Sequence, residues 1–188
     1  MARCRFRTLR LALGLSVLCV CGVAETSPSA QDPKEVLLTL TREDLPPVRL
    51  TAIDFGKLAR QQVKATDHEQ NVATFEGVLL RDVLQPLGLP FGKELRGKAL
   101  TIYLVIEAMD GYRVLFTLPE LDSLFTDKAV LLADRRDGKP LSEKEGPLRV
   151  VVPDEKRLAR WIRQVKSITA RDVGAASKVQ KSPSQAVR

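Results

Sequence analysis

Apolar and polar positions along the chain alternate over short stretches and change period several times, which predicts many strands joined by brief helical turns. Glu35 to Leu40 and Val48 to Leu50 read as strands, with Pro46-Pro47 as a break between them. Thr51 fits the N-cap of a short helix over Ala52 to Arg60, with Ile53, Phe55 and Leu58 apolar. Gln62 to Thr66 alternates as a strand. Leu79, Val83, Leu84 and Leu87 recur at helical spacing, so Val78 to Leu87 is a predicted helix that Gly88 stops.

The sharpest local pattern is a hairpin. Leu100 to Met109 and Tyr112 to Leu118 flank Asp110-Gly111, a pair suited to a two-residue type I′ turn. Both arms are apolar at nearly every position, which predicts a place in the middle of a sheet with both faces covered. Leu118 to Leu121 starts a helical turn, Ala129 to Ala133 is a strand, Asp137-Gly138 a turn and Leu148 to Val152 a buried strand. The run Asp134-Arg135-Arg136-Asp137, with Lys139, Glu143, Lys144 and Glu145 beyond it, mixes charge signs and reads as a solvated loop. In the last segment Leu158, Trp161, Ile162 and Val165 fit a helix better than a strand.

The N-terminus changes the picture of composition. Arg3, Arg5, Arg7 and Arg10 precede an apolar run from Leu11 to Val23 that ends in the small-residue site Gly22-Val23-Ala24. That is the pattern of a cleavable secretory signal over residues 1–24, too short for a spanning helix. Val20 before Cys21 does not suit a lipidation site. The expected location is periplasmic or secreted, with membrane contact only through the precursor signal. Cys4, Cys19 and Cys21 all lie in that leader, so the processed chain carries no thiol for a disulfide, a nucleophile or a metal.

Without the leader's four arginines the net charge of +7 falls to +3. The polar stretch 171–188 carries that remainder, and residues 25–170 are balanced. Nothing in the domain resembles a nucleic-acid footprint. Residues 25–34 read as a disordered linker and 171–188 as a disordered tail, leaving one domain at 35–170.

Several blocks occur in a suggestive order: Phe75-Glu76-Gly77-Val78-Leu79-Leu80-Arg81-Asp82-Val83-Leu84, Asp110-Gly111-Tyr112, Ala129 to Ala133, Gly146-Pro147-Leu148-Arg149-Val150-Val151-Val152-Pro153, and Arg160-Trp161-Ile162-Arg163-Gln164-Val165. This order resembles the molybdopterin-binding domain of the sulfite-oxidase-like oxidoreductases over about residues 35–170. The resemblance implies an α+β fold with a mixed β-sheet and short helices, and it makes Trp161 to Thr169 a closing strand in place of the helix. It also implies a molybdopterin cofactor whose molybdenum takes one protein cysteine. The corresponding stretch here, Val63 to His68, holds none. Exported members of such a family are expected to leave the cytoplasm folded by the twin-arginine route, yet no two of the leader's arginines are adjacent.

Candidate chemistry is sparse. His68, the sole histidine, stands beside Asp67 as a general base with its orienting acid, a metal corner, or a histidine in a solvated turn. Ser123, Ser142 and Ser167 lack a nucleophile-elbow context. Lys156, Arg157, Arg160 and Arg163 form a basic cluster after the buried strand. The resemblance makes this turn, Arg160 above all, a phosphate contact of the cofactor, and a small anionic ligand is the alternative occupant. The expected binding set is thus Asp67, His68, Lys156, Arg157 and Arg160, with no metal. The expectation is a non-catalytic binding module or accessory subunit, with a small anionic ligand or a redox partner protein. The alternatives are a molybdopterin-dependent oxidoreductase with an atypical metal site and a structural envelope protein without ligand.

Overall fold

In a computed structural model, the described residues 35–176 build two sheets whose inner faces share one hydrophobic cluster. The predicted leader, residues 1–24, the linker 25–34 and positions 177–188 of the predicted tail lie outside the described residues. The strands are β1 (Val36–Arg42), β2 (Leu45–Thr51), β3 (Arg60–Thr66), β4 (Val72–Leu79), β5 (Ile102–Ala108), β6 (Arg113–Thr117), β7 (Leu131–Arg136), β8 (Lys139–Pro140), β9 (Arg149–Val151) and β10 (Val165–Asp172). Short helices α1 (Ala52–Gly56), α2 (Leu80–Val83) and α3 (Val173–Ala176) and several 3₁₀ turns connect them.

The first sheet runs in the order β2-β1-β10-β5-β6, and β1 with β10 is its one parallel pair. The second runs β3-β4-β7-β8, with β9 also on β7. This is the α+β architecture with mixed sheet expected above. Leu38, Leu40, Leu104, Ile106, Phe116 and Ile168 of the first sheet face a cluster that includes Phe75, Val78, Leu131 and Val150 of the second, all fully buried. Burial of this kind, about 25 cal/mol per Å² of apolar surface, is the main force holding the sheets together.

Several local expectations are corrected. Pro46 and Pro47 do not break the chain but lie inside β2. That strand is the sheet's edge, where a missing N–H leaves no ladder bond unmade. Thr51 caps α1 as predicted, in a reciprocal capping box with Asp54, but the helix ends at Gly56. The predicted helix at Val78 begins as the end of β4, and α2 covers only Leu80–Val83 before a 3₁₀ turn that left-handed Gly88 closes.

The β5–β6 hairpin forms, but its turn is one residue off. Ala108 accepts from the Gly111 N–H at 3.1 Å and donates to the Tyr112 carbonyl at 2.9 Å, with Gly111 at φ +86°. That is a type I turn followed by a glycine bulge. The type I′ turn instead joins β7 to β8, where Asp137 and Gly138 both have positive φ between paired Arg136 and Lys139. β6 is an edge strand with Arg113 and Leu115 exposed, not a central one. At the C-terminal end the strand implied by the family resemblance exists, but it starts at Val165; the helical spacing before it yields only the turn Leu158–Arg160. It also runs to Asp172, past the predicted domain edge at 170, and Asp172 accepts from Thr101 and from the Gly174 N–H, each at 2.8 Å.

Candidate functional site

The stretch expected to hold a metal-binding thiolate is β3 and the tight loop that turns it into β4. Asp67 organises that loop. Its Oδ1 accepts from the N–H groups of Glu69 (2.8 Å) and Asn71 (2.9 Å), and its Oδ2 accepts from the Arg136 guanidinium. Burial alone would raise the Asp67 pKa, but the Asn71 N–H, Arg136 and the Glu69 N–H outweigh it and hold the carboxyl below its ordinary range. Both oxygens are engaged, so Asp67 is not an orienting acid for His68, which is exposed on the same loop. Of the readings left open for His68, the dyad with Asp67 is not the one the structure shows.

Arg136 was predicted in a solvated loop; the structure places it at the end of β7 as a structural partner. Its neighbour Asp134 likewise takes two bonds from Arg60, at 2.5 and 3.1 Å. Beneath the Asp67 loop lies a second guanidinium, Arg149 of β9, whose side chain is only 2% exposed. Arg149 donates to Glu145, which also lies 3.8 Å from Arg136. It stacks on Phe75 and Trp161, 5.3 and 5.5 Å from their ring centres, and those rings meet edge to face at 5.7 Å. Burial, against the pull of Glu145, lowers the Arg149 pKa, and its Nε has no hydrogen-bond partner. Asp67, Arg136, Glu145 and Arg149 thus form a charge-balanced inner network that the sequence showed only as parts of a strand motif and a mixed-charge run.

The predicted basic cluster is divided. Arg160 donates to Glu120 at 2.7 Å and through Nε to Glu155 at 2.8 Å, with its guanidinium 4.6 Å from the Phe116 ring centre. Burial would lower its pKa, but Glu120 and Glu155 raise it, so this cation is held by the protein's own carboxylates. Lys156 and Arg157 are exposed, with no ion-pair partner among the described residues. His68 is brought together with Arg163 instead, in a cavity of 580 Å³ that Lys144, Asp110, Tyr112 and Trp161 also line. Trp161 is a pocket wall, pinned by its indole N–H to the Val152 carbonyl at 3.0 Å. Lys144 was read as part of a solvated run, and only the fold carries it to this cavity.

Two packed sheets with a parallel β1–β10 pair and a cleft bounded by the β3–β4 loop, the β5–β6 turn and the segment before β10 define the class of fold. The family model described as the oxidoreductase molybdopterin-binding domain matches residues 48–178, and the chain belongs to that family. Among solved structures, the chain is similar to the sulfane dehydrogenase SoxCD of Paracoccus pantotrophus, with a TM-score of 0.56 and 19% identity. The match covers 76% of this chain and 40% of that one, and at this identity it speaks to fold alone. No curated protein matches the sequence.

The residues present do not fit the family's metal centre. Among the described residues there is no cysteine and no cluster of three or more His, Cys, Asp or Glu side chains placed to hold a metal. The carboxylate nearest the thiolate's expected place, Asp67, already satisfies two backbone donors and a guanidinium.

Proposed function

We propose that this chain is an exported, non-catalytic member of the molybdopterin-binding oxidoreductase family that serves as a binding module or accessory subunit. The observation that carries the reading is the Asp67 loop. Where the family resemblance implies a soft sulfur ligand, this sequence builds a hairpin turn locked by Asp67 and Arg136. A carboxylate that already takes two N–H bonds on one oxygen and a guanidinium on the other would have to give up that lock to ligate a metal, and its oxygen donors are hard where the family's ligand is soft. Export rests on the arginine-bearing, apolar leader, and the general secretory route it suggests delivers an unfolded chain. The match spans 40% of the SoxCD chain, so what the two share is part of a longer chain.

Protein purified from its native compartment tests this directly by molybdenum analysis and pterin extraction. The expected result is neither at stoichiometric level, and no reductase activity with an artificial electron donor, whether His68 is present or replaced by alanine. One molybdenum per chain sinks the proposal.

A further inference from the structure

The cavity under His68 is built differently from the basic turn that the family resemblance singles out. Its lining mixes the apolar side chains of Ala108, Leu158, Trp161 and Ile162 with polar ones. Its rim carries Lys144 and Arg163, each without a carboxylate within ion-pair distance among the described residues, against the single acid Asp110. Asp110 is itself engaged by the Tyr112 N–H at 2.9 Å.

The loops around this space are tied to one another. Tyr112 donates through its hydroxyl to the Ala159 carbonyl at 3.0 Å, fixing the β5–β6 turn to the segment before β10. Gln164 joins the remaining loops: its carbonyl accepts from Met109, its N–H donates to the Glu145 carbonyl, and its side chain donates to the Glu143 carbonyl at 2.8 Å. It does so at φ +52°, a left-handed conformation that a non-glycine residue adopts only where its surroundings hold it there. Cross-tied loops hold the cavity open before anything enters it, which lowers the ordering cost of binding.

We propose that this cavity binds an organic anion, its carboxylate or phosphate head on Lys144 and Arg163 and its apolar body against Trp161, Leu158 and Ile162. The inference rests on reading the chain as a binding module and names the ligand class of that module. Volume selects the body: 580 Å³ lies within the range of about 300–1,000 Å³ typical of organic ligand pockets, far beyond the ~30 Å³ of one water. Charge selects the head, because two cations without an ion-pair partner among the described residues line a space whose one acid, Asp110, is already engaged. Lys156, Arg157 and Arg160 take no part, since Arg160 is held by Glu120 and Glu155 and none of the three lines the cavity.

Calorimetric titration of the full chain with benzoate, phenyl phosphate, inorganic phosphate and neutral benzyl alcohol tests the proposal. Benzoate or phenyl phosphate should bind, and whichever binds tighter identifies the head group. Inorganic phosphate and benzyl alcohol should bind at least about tenfold more weakly, each lacking half of the recognition. Lys144→Met and Arg163→Met, both surface changes that leave the fold intact, should each weaken binding about tenfold, the effect of one charge-assisted bond. A Lys156→Met/Arg157→Met variant should bind as the wild type does. No binding of either organic anion, equal binding of inorganic phosphate, or indifference to Lys144→Met and Arg163→Met overturns the proposal. Molybdenum in the native protein would instead sink the reading of the chain as metal-free, and the titration would still decide the cavity.

Discussion

Arg136 and Asp67 meet across 69 positions of sequence, the guanidinium at the end of β7 closing the turn between β3 and β4. The Asp67 side chain is 5% exposed and the Arg136 side chain 29%. Removing the acid leaves two backbone donors without an acceptor and takes the nearest carboxylate from the half-buried Arg136, which keeps only Asp137 and Glu145 at 3.7 and 3.8 Å. Asp67→Ala should therefore cost about 2–4 kcal/mol in urea unfolding. Asp67→Asn, which keeps the acceptor for Glu69 and Asn71, should cost less. A variant as stable as wild type would show that the loop does not need this lock.

The same carboxyl makes stability depend on acid. Asp122 behaves alike: burial would raise its pKa, but the N–H groups of Gly92 and Leu124 and the charge of Arg81 bring it below the ordinary range. Lowered folded values mean that the unfolded chain takes up protons first. The stabilisation is complete above the ordinary carboxylate range, about pH 4, and is lost as pH falls through the lower folded values. Melting temperature followed from pH 6 to 2 should drop steeply below that range, and Asp122→Asn should flatten the curve.

Gly77 has no room for a side chain. A Cβ there would stand 2.1 Å from the Leu132 carbonyl oxygen and 2.6 Å from the Ala133 Cα, both backbone atoms that cannot turn aside. Gly77→Ala must push β4 away from β7 and should destabilise by about 3 kcal/mol or more. Soluble yield and denaturant midpoint check this, and an unchanged midpoint contradicts the close strand approach.

Glu145 and Arg149 offer an asymmetric test. Glu145→Ala leaves the Arg149 charge buried without its partner and should cost about 3–5 kcal/mol. Arg149→Met, which keeps the stacking body against Phe75 and Trp161 and removes the buried charge, should cost clearly less. Unfolding curves of both variants, measured together, decide the order.

Arg160→Ala should act on stability and not on ligand affinity. It deletes two part-exposed ion pairs and the contact with Phe116, roughly 1–2 kcal/mol together. Calorimetry with benzoate should give the wild-type constant within error.

How much was legible follows from which forces write themselves into neighbouring residues. The Thr51 cap, the buried Leu148 to Val152 run and the Gly88 stop are local, and the sequence shows them. β4 was hidden because two of its inward positions are Ala73 and Gly77, too small to register as apolar, and the β7 backbone leaves no room for more at Gly77. The β6 edge was hidden because a run of apolar residues suggests covered faces but does not report whether a further strand lies alongside, and Leu115 is exposed despite it. The site was less legible than the fold. Asp67 and His68 were found as neighbours, but the partners that decide their roles, Arg136 for one and Arg163 with Lys144 for the other, are distant in sequence and join them only through strand pairing.

The position of β10 has a consequence for when this chain can fold. Among the described residues it is the last strand in sequence but the central one of its sheet, and the hydroxyls of Thr41 and Thr169, 128 residues apart, meet at 2.8 Å across the β1–β10 pair. Until residue 172 has been made, β1 and β5 each present a bare edge to the other, and no partial product can close the sheet. Such non-local closure slows folding and favours completion only after the whole polypeptide is available. The segment that joins the two halves of this sheet is therefore the one whose loss would leave both halves without a partner.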